Sequence, residues 1–491
     1  MADYKHGVYG QVQVAGSRVS QAAQNAMIYI GTAPVHMVAD GGKNVNSPIV
    51  CENIAQARAK LGYSDEWEKY SLCEAMKAHF LLGGVGPVIF INVLDPAKHK
   101  KKEKQTKSLT PENGMVMIQG AQDVILDSLT VAGKTVGEDY VVSSNLDRHS
   151  ITLTEVKSGA LGTEALNITY EEIDPSQVTA EDVVGTTDGY GLNTGVYAVQ
   201  NVYQQTGYIP SFLLAPGFSG DPEVHTALAG NSRKIGGHWD AYILADLPIT
   251  DSEGSIGMDT APNKKKAKGM VLENETVYYP MALGTDGQKY HLSTLAAANL
   301  QKLMSQQDGI PYKTASNTEV SVIQNLYLGE NDKNRVFPDS LINEKLCKSG
   351  IASAAFVGGK WVIWGAHSAD YDEENGDALN ISETNRMMLY YIANDFQHRR
   401  ADDVDKPMTR NDMQAIVAQE QARLDALLKI GALAYGECHL DVGADQMGDI
   451  VKGDFRLVFN VTTTPLAKSL TANVYWTKEG IETYYASFAN T

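Results

Sequence analysis

The sequence predicts an α+β multidomain protein, with α/β-type core domains, a β-rich insertion of sandwich or barrel type, and extended terminal arms. Three observations predict it. Apolar runs of strand length alternate with amphipathic helical segments over 26–94 and again over 194–304, the pattern of layered units. Between them, 104–178 carries several short strand signals separated by Gly, Asn and Asp turns, the pattern of a small β-sandwich or barrel. Both ends are polar stretches with scattered apolar residues, too little area to hold themselves down.

In chain order, 1–20 alternates apolar residues at Val8, Val12, Val14 and Val19, as an extended arm would. A core domain follows in two parts, 21–103 and 179–340. Its first part offers strands at 26–31 and 87–94 and helices at 53–61 and 71–82. The insertion interrupts it. The second part offers a helix at 194–205, strands at 211–215 and 241–246, a helix at 222–235 begun by Asp221-Pro222, and a helix at 292–304. Residues 251–268 read as a loop.

The stretch 341–472 reads strand, helix, helix, strand and is taken as a C-terminal core domain, with 473–491 as a second arm. At 353–365 two apolar runs flank Gly358-Gly359-Lys360, which marks a tight hairpin. Ile381, Met388, Leu389, Ile392 and Phe396 give 381–399 an apolar helical stripe. Thr409 or Asn411 can cap the next helix, whose stripe of Met413, Ile416, Val417, Leu424, Leu427, Leu428 and Ile430 ends at Gly431. Its other face reads as wet, with Glu420, Gln421, Arg423 and Asp425. A half-buried strand begins at Phe455, with Pro465 as its stop.

Composition narrows the function. A chain of 491 residues, 43% hydrophobic and 20% charged, makes two to four domains without disulfide staples. Cys51, Cys73, Cys347 and Cys438 lie far apart with no CxxC pair, as buried thiols in a reducing compartment do. No signal peptide opens the sequence and no apolar run reaches the length of a membrane span, so a soluble protein made in a cytoplasm is expected. A net charge of −18 argues against a nucleic-acid backbone as partner. The basic runs 98–107 and 264–268 read as solvated loops.

No catalytic, metal or cofactor constellation emerges. The 11 histidines fall singly. Cys438-His439-Leu440-Asp441 is the densest ligand-type group and reads as a strand edge, because no second cluster supplies further ligands. The acidic run 370–377 resembles a calcium loop, but its glycine is one place late and the closing glutamate is missing. Around Lys360 the phosphate-loop pattern fails, with Ala354 where glycine and Trp361 where Ser or Thr belongs. No GxSxG elbow exists.

Several blocks, in order, resemble contractile-tail sheath proteins, which build phage tails, R-type pyocins and related injection systems. They are INEKLCKSGIASAAFVGGKWVIWGAHSAD, NRMMLYYIANDFQHR, LLKIGAL and TTTPLAKSLTANVYW near the C-terminus; HGVYGQVQVAGSRVS, AMIYIGTAP and PVIFINVLDP near the start; and SFLLAPGFSGDPEVHTALAGNSRKIGGHWDAYILADLP with DGIPYKTASNTEV between. The resemblance does not reach roughly 98–180. It implies a helical homopolymer of six-fold rings around an inner tube protein, with baseplate and tail-terminator partners, no cofactor and no nucleotide. It implies assembly in a bacterial cytoplasm into the tail of a virion or phage-like particle. The terminal arms, through Val8, Val12, Val14, Val19, Val474, Trp476, Tyr484 and Tyr485, would link subunits by strand addition. The polar side of 411–431, through Glu420, Arg423 and Asp425, is the candidate inner-tube contact, with a plain solvated face as the alternative. Other readings are a baseplate or terminator component, or a cytoplasmic α/β hydrolase.

Overall fold

The computed structural model describes residues 25–489 apart from 333, 374–376, 442 and 444–449. The sequence-derived arm residues Val8, Val12, Val14 and Val19 lie outside the described residues. The chain divides into two compact units, Met1–Pro407 and Met408–Thr491.

The first unit is built on a mixed sheet with eight strands among the described residues. They are β1 (Asn25–Gly31), β2 (Ile49–Cys51), β3 (Val88–Asn92), β4 (Ile209–Leu214), β5 (Tyr242–Asp246), β6 (Glu275–Tyr278), β7 (Ile351–Val357) and β8 (Lys360–Trp364), in the order β8-β7-β6-β5-β4-β1-β3-β2. The inner strands run parallel, and β2 and β8 pair antiparallel at the two edges. Strands covered on both faces need continuous apolar sequence, and MIYI in β1, VIFI in β3 and YILA in β5 supply it, every one of these side chains being buried. At the β7–β8 turn Gly358 and Gly359 adopt φ of 61° and 82°, which a two-residue hairpin requires. This hairpin extends the parallel sheet, β7 lying against β6.

Helices cover the sheet: α1 (Pro222–Asn231), α2 (Leu292–Ser305) and α3 (Glu383–Arg400). Asp221 caps α1, its carboxylate accepting from the N–H groups of Glu223 at 2.9 Å and Val224 at 3.4 Å. Within 104–178, two three-stranded antiparallel sheets enclose a separate core of Val116, Ile118, Tyr140, Ile151, Leu153, Ile168 and Tyr170.

Buried charges stitch the elements together. His225 Nε2 lies 2.7 Å from Glu275 Oε1, joining α1 to β6, and Thr276 donates to Glu383 at 2.7 Å, joining β6 to α3. Burial opposes a charge on His291, but the Glu74 carboxylate 2.7 Å away outweighs it and raises the imidazole to about 9. One such stitch overturns a sequence expectation. Residues 251–268 are not all loop: Ala261–Ala267 is a helix. Nor is its basic run wholly solvated, because Lys265 is buried, with Nζ donating to the carbonyls of Ser349, Gly350 and Ala369. Burial lowers its pKa to about 8. The basic run at 98–107 is likewise more than a loop. Residues Gln105–Leu109 form a strand, and Lys98, Lys100 and Lys101 pair with Asp182, Glu171 and Glu172.

The second unit holds α4 (Arg410–Lys429), the hairpin of β9 (Leu433–Leu440) and β10 (Leu457–Thr463), and α5 (Glu479–Ala489). Thr409 and Asp412 form a capping box at the start of α4, and Gly431 closes it at φ 77°. Its buried apolar set is small: Met413, Leu424, Leu427, Ala432, Leu433 and Cys438.

Candidate assembly surface

A two-stranded hairpin is marginal by itself in water. Here α4 supports one side of it. Gly436 permits the close approach, since a Cβ there would stand 3.1 Å from Leu424 Cβ. At the same level the Gln421 side-chain amide donates to the Gly436 carbonyl at 3.1 Å and accepts from the Cys438 N–H at 2.8 Å. One side chain thus satisfies, on the outer edge of β9, a donor and an acceptor that a further strand would otherwise pair.

The register then fixes the other edge. The Asp441 N–H donates to the Arg456 carbonyl at 2.9 Å, and pairing continues through His439↔Val458, Cys438↔Phe459, Glu437↔Asn460 and Gly436↔Val461. Antiparallel pairs alternate, so His439 and Val458 bond each other while Gly436 and Val461 direct their polar groups away from one another. On β10 the Val461 backbone therefore faces outward. Among the described residues no strand pairs with β10 on that side.

Replacing Gln421 with Ala is expected to speed hydrogen exchange at the Cys438 amide roughly ten-fold, the equivalent of about 1 to 2 kcal/mol for a part-buried group left without its partner. Exchange as slow as in the parent chain would show that Gln421 is not what protects this edge.

Past β10, residues 464–478 form neither helix nor strand and expose large apolar side chains. Leu470 is 92% exposed, Val474 91% and Trp476 78%. Isolated apolar residues on a surface are ordinary, but a run of this kind marks a contact site. Tyr484 and Tyr485, also exposed, lie in α5. This corrects their reading as strand-adding residues. Ile481, Tyr484, Tyr485 and Phe488 have helical spacing, and Glu479 and Glu482 suit a helix N-terminus.

The candidate inner-tube residues separate in the structure. Glu420 is buried, at 1% exposure, and so is not on a wet face. It falls in the series Met413, Val417, Glu420, Leu424, Leu427, which is the inward stripe of α4. Arg423 is half-buried, and Asp425 is exposed and accepts from Gln421 Nε2 at 2.9 Å. Gln421, read from sequence as solvated, is the residue that caps β9. Cys438, His439 and Leu440 lie within β9. Among the described residues no group of three His, Cys, Asp or Glu is placed to hold a metal ion.

No protein-family model matches the chain. The tail sheath protein of Burkholderia phage BcepMu is 24% identical over 508 aligned residues, covering 97% of this chain and 98% of that one. The major tail sheath protein of Serratia phage KSP20 is 21% identical over 371 residues, covering 74% of this chain and 86% of that one. The helical sheath of the anti-feeding prophage in its contracted state matches the fold at TM-score 0.55 and 13% identity, covering 96% of this chain and 99% of that one. The contracted sheath complex of the extracellular contractile injection system PVC gives 0.54 and 12%, covering 98% and 99%.

Along nearly its whole length this chain is similar to contractile-tail sheath proteins, and it shares the fold of contracted sheaths. Its sheath likeness spans nearly the whole length of both chains and so takes in the insertion at 104–178, which the sequence motifs alone had not reached. Mixed helices and strands around one large sheet and several small ones are the sheath fold.

Proposed function

We propose that this sheath subunit polymerises into a helical tube of stacked six-fold rings around an inner tube, and that contraction of the polymer drives the inner tube through a target envelope. A contact that repeats between unlike surfaces without closing generates such a tube. One observation carries the reading for this chain: a sheath-like protein whose 408–491 unit has, among the described residues, a hairpin with no second strand beside β10 and a tail exposing Leu470, Val474 and Trp476. Those are surfaces that further copies can complete. Baseplate and terminator proteins would bind the ends of the polymer, and assembly would take place in the cytoplasm of the producing bacterium.

The protein acts in this reading as a structural part rather than an enzyme. The buried ionisable groups of the first unit support that, since His225, Glu275, His291, Glu74 and Glu383 are engaged with partners on neighbouring elements. Energy for contraction then lies in the difference between two packings of one fold, with the extended form held kinetically until it is released.

Negative-stain electron microscopy of the purified protein, alone and with inner-tube protein, tests this. Tubes many rings long are expected. Single rings would indicate a terminator, and a small closed oligomer under both conditions would overturn the sheath function.

A further inference from the structure

The second unit carries a groove and, in the same chain, a helix shaped to fill it. The groove, about 830 Å³, runs between α4 and β9 and is lined by Met413, Val417, Ala418, Leu440 and Phe455, with Arg410 at one end. Its floor is apolar, and Ala418 leaves room for a partner's backbone to come close. The helix is α5. Ile481, Tyr484, Tyr485 and Phe488 occupy positions i, i+3, i+4 and i+7, so they share one face, and they are 45%, 62%, 67% and 58% exposed. Tyr484 packs edge-on against Phe488, with ring centroids 4.8 Å apart, which shapes that face into a ridge. An amphipathic helix with anchors at this spacing is what an apolar groove of this kind accepts.

We propose that α5 of one copy docks in the α4–β9 groove of a second copy, as a helix-in-groove contact distinct from strand addition at β10. Charge supports a copy of this chain as the occupant. Helix α5 brings Glu479 and Glu482 at its first turn, and the groove presents Arg410 at its rim. Exposed aromatic anchors are the residues that carry most of an interface's energy when buried, and here they lie on the element that ends a tail of some fifteen residues, 464–478. Such a tail spans up to about 50 Å when extended, enough to reach a neighbouring subunit. The inference rests on the homopolymer reading above, but its test is separate from that of tube formation.

Two full-length chains of different tag size, both carrying Cys438→Ser to remove the native thiol that lines the groove, one with Ala418→Cys and the other with Tyr485→Cys, would be mixed under assembly conditions and treated with a short thiol cross-linker. The expected product is a mixed dimer, formed only when both cysteines are present. Adding Phe488→Asp to the second chain should lower its yield ~10-fold, since an aspartate would be buried in the groove without a partner. A chain carrying both cysteines that cross-links only within itself would overturn the proposal, because the helix would then fill its own groove. Absence of any cross-link would overturn it too. So would a mixed dimer that disappears when inner-tube protein is added, which would assign the groove to the tube. Microscopy of the same samples scores the sheath reading independently: mixed dimers without tubes would leave the helix exchange standing and the tube polymer failed.

Discussion

Deleting residues 1–20 is expected to abolish tube formation while leaving the melting temperature within about 2 °C of the full-length value. The second half of that expectation follows from where the core lies. The first buried strand begins at Asn25, and β1 draws its packing from β3 and β4 on either side. The first half follows from the proposal, drawn from the sheath resemblance, that 1–20 attaches to a neighbouring copy by strand addition. A strand added to a sheet edge makes about four main-chain hydrogen bonds worth ~1 kcal/mol each, or ~4 kcal/mol in all, about a thousand-fold in association constant. Loss of that factor at every repeat raises the concentration needed for polymerisation beyond the micromolar range of an ordinary preparation. Light scattering and electron microscopy of the two proteins side by side measure it. Tubes from the truncated chain at the parent concentration would remove the arm from the mechanism.

How much of this was legible in the sequence depended on whether one residue type at one spacing sufficed. Strands β1, β3 and β5 announced themselves because a parallel strand buried on both faces must be apolar throughout. The β7–β8 hairpin was legible in Gly358-Gly359, and the start of α4 in Thr409. What pairs with what was not. Nothing local in the run of β7 says that its neighbour is β6, more than seventy residues earlier, so its place in the large parallel sheet emerges only from the folded chain. Buried charges were hidden for a related reason. Lys265 reads as one more cation in a basic run until the carbonyls of Ser349, Gly350 and Ala369 close around it.

For the candidate assembly residues, two readings from sequence fail in the folded chain. Glu420 was assigned by its charge, although its spacing from Met413, Val417, Leu424 and Leu427 already placed it on the inward stripe. Tyr484 and Tyr485 were grouped with an extended arm on family resemblance, although Ile481, Tyr484, Tyr485 and Phe488 carry a helical period. In both cases periodicity was the better guide than residue type. The role of Gln421 had no local signal, since a glutamine on an exposed helix looks the same whether or not a strand edge lies within reach. Gly436 held the hint: a glycine inside a strand often marks a close approach by something else.

The two edges of the β9–β10 hairpin differ, and proline can tell them apart. Val461→Pro is expected to stop polymerisation and leave the subunit folded, because the lost N–H faces away from β9 and takes no part in the ladder. Val458→Pro, three residues earlier, is expected to unfold the hairpin, at a cost of ~3 kcal/mol or more, because that N–H bonds His439 across the ladder. Far-ultraviolet circular dichroism and limited proteolysis of the 408–491 region separate folding from assembly in each variant. If Val461→Pro assembles as well as the parent chain, strand addition does not use the outer edge of β10. The remaining edge is the one Gln421 occupies, and an incoming strand would have to displace that side chain from both Gly436 and Cys438. Gln421→Ala would then strengthen assembly rather than merely loosen the hairpin, so the two substitutions together assign the edge.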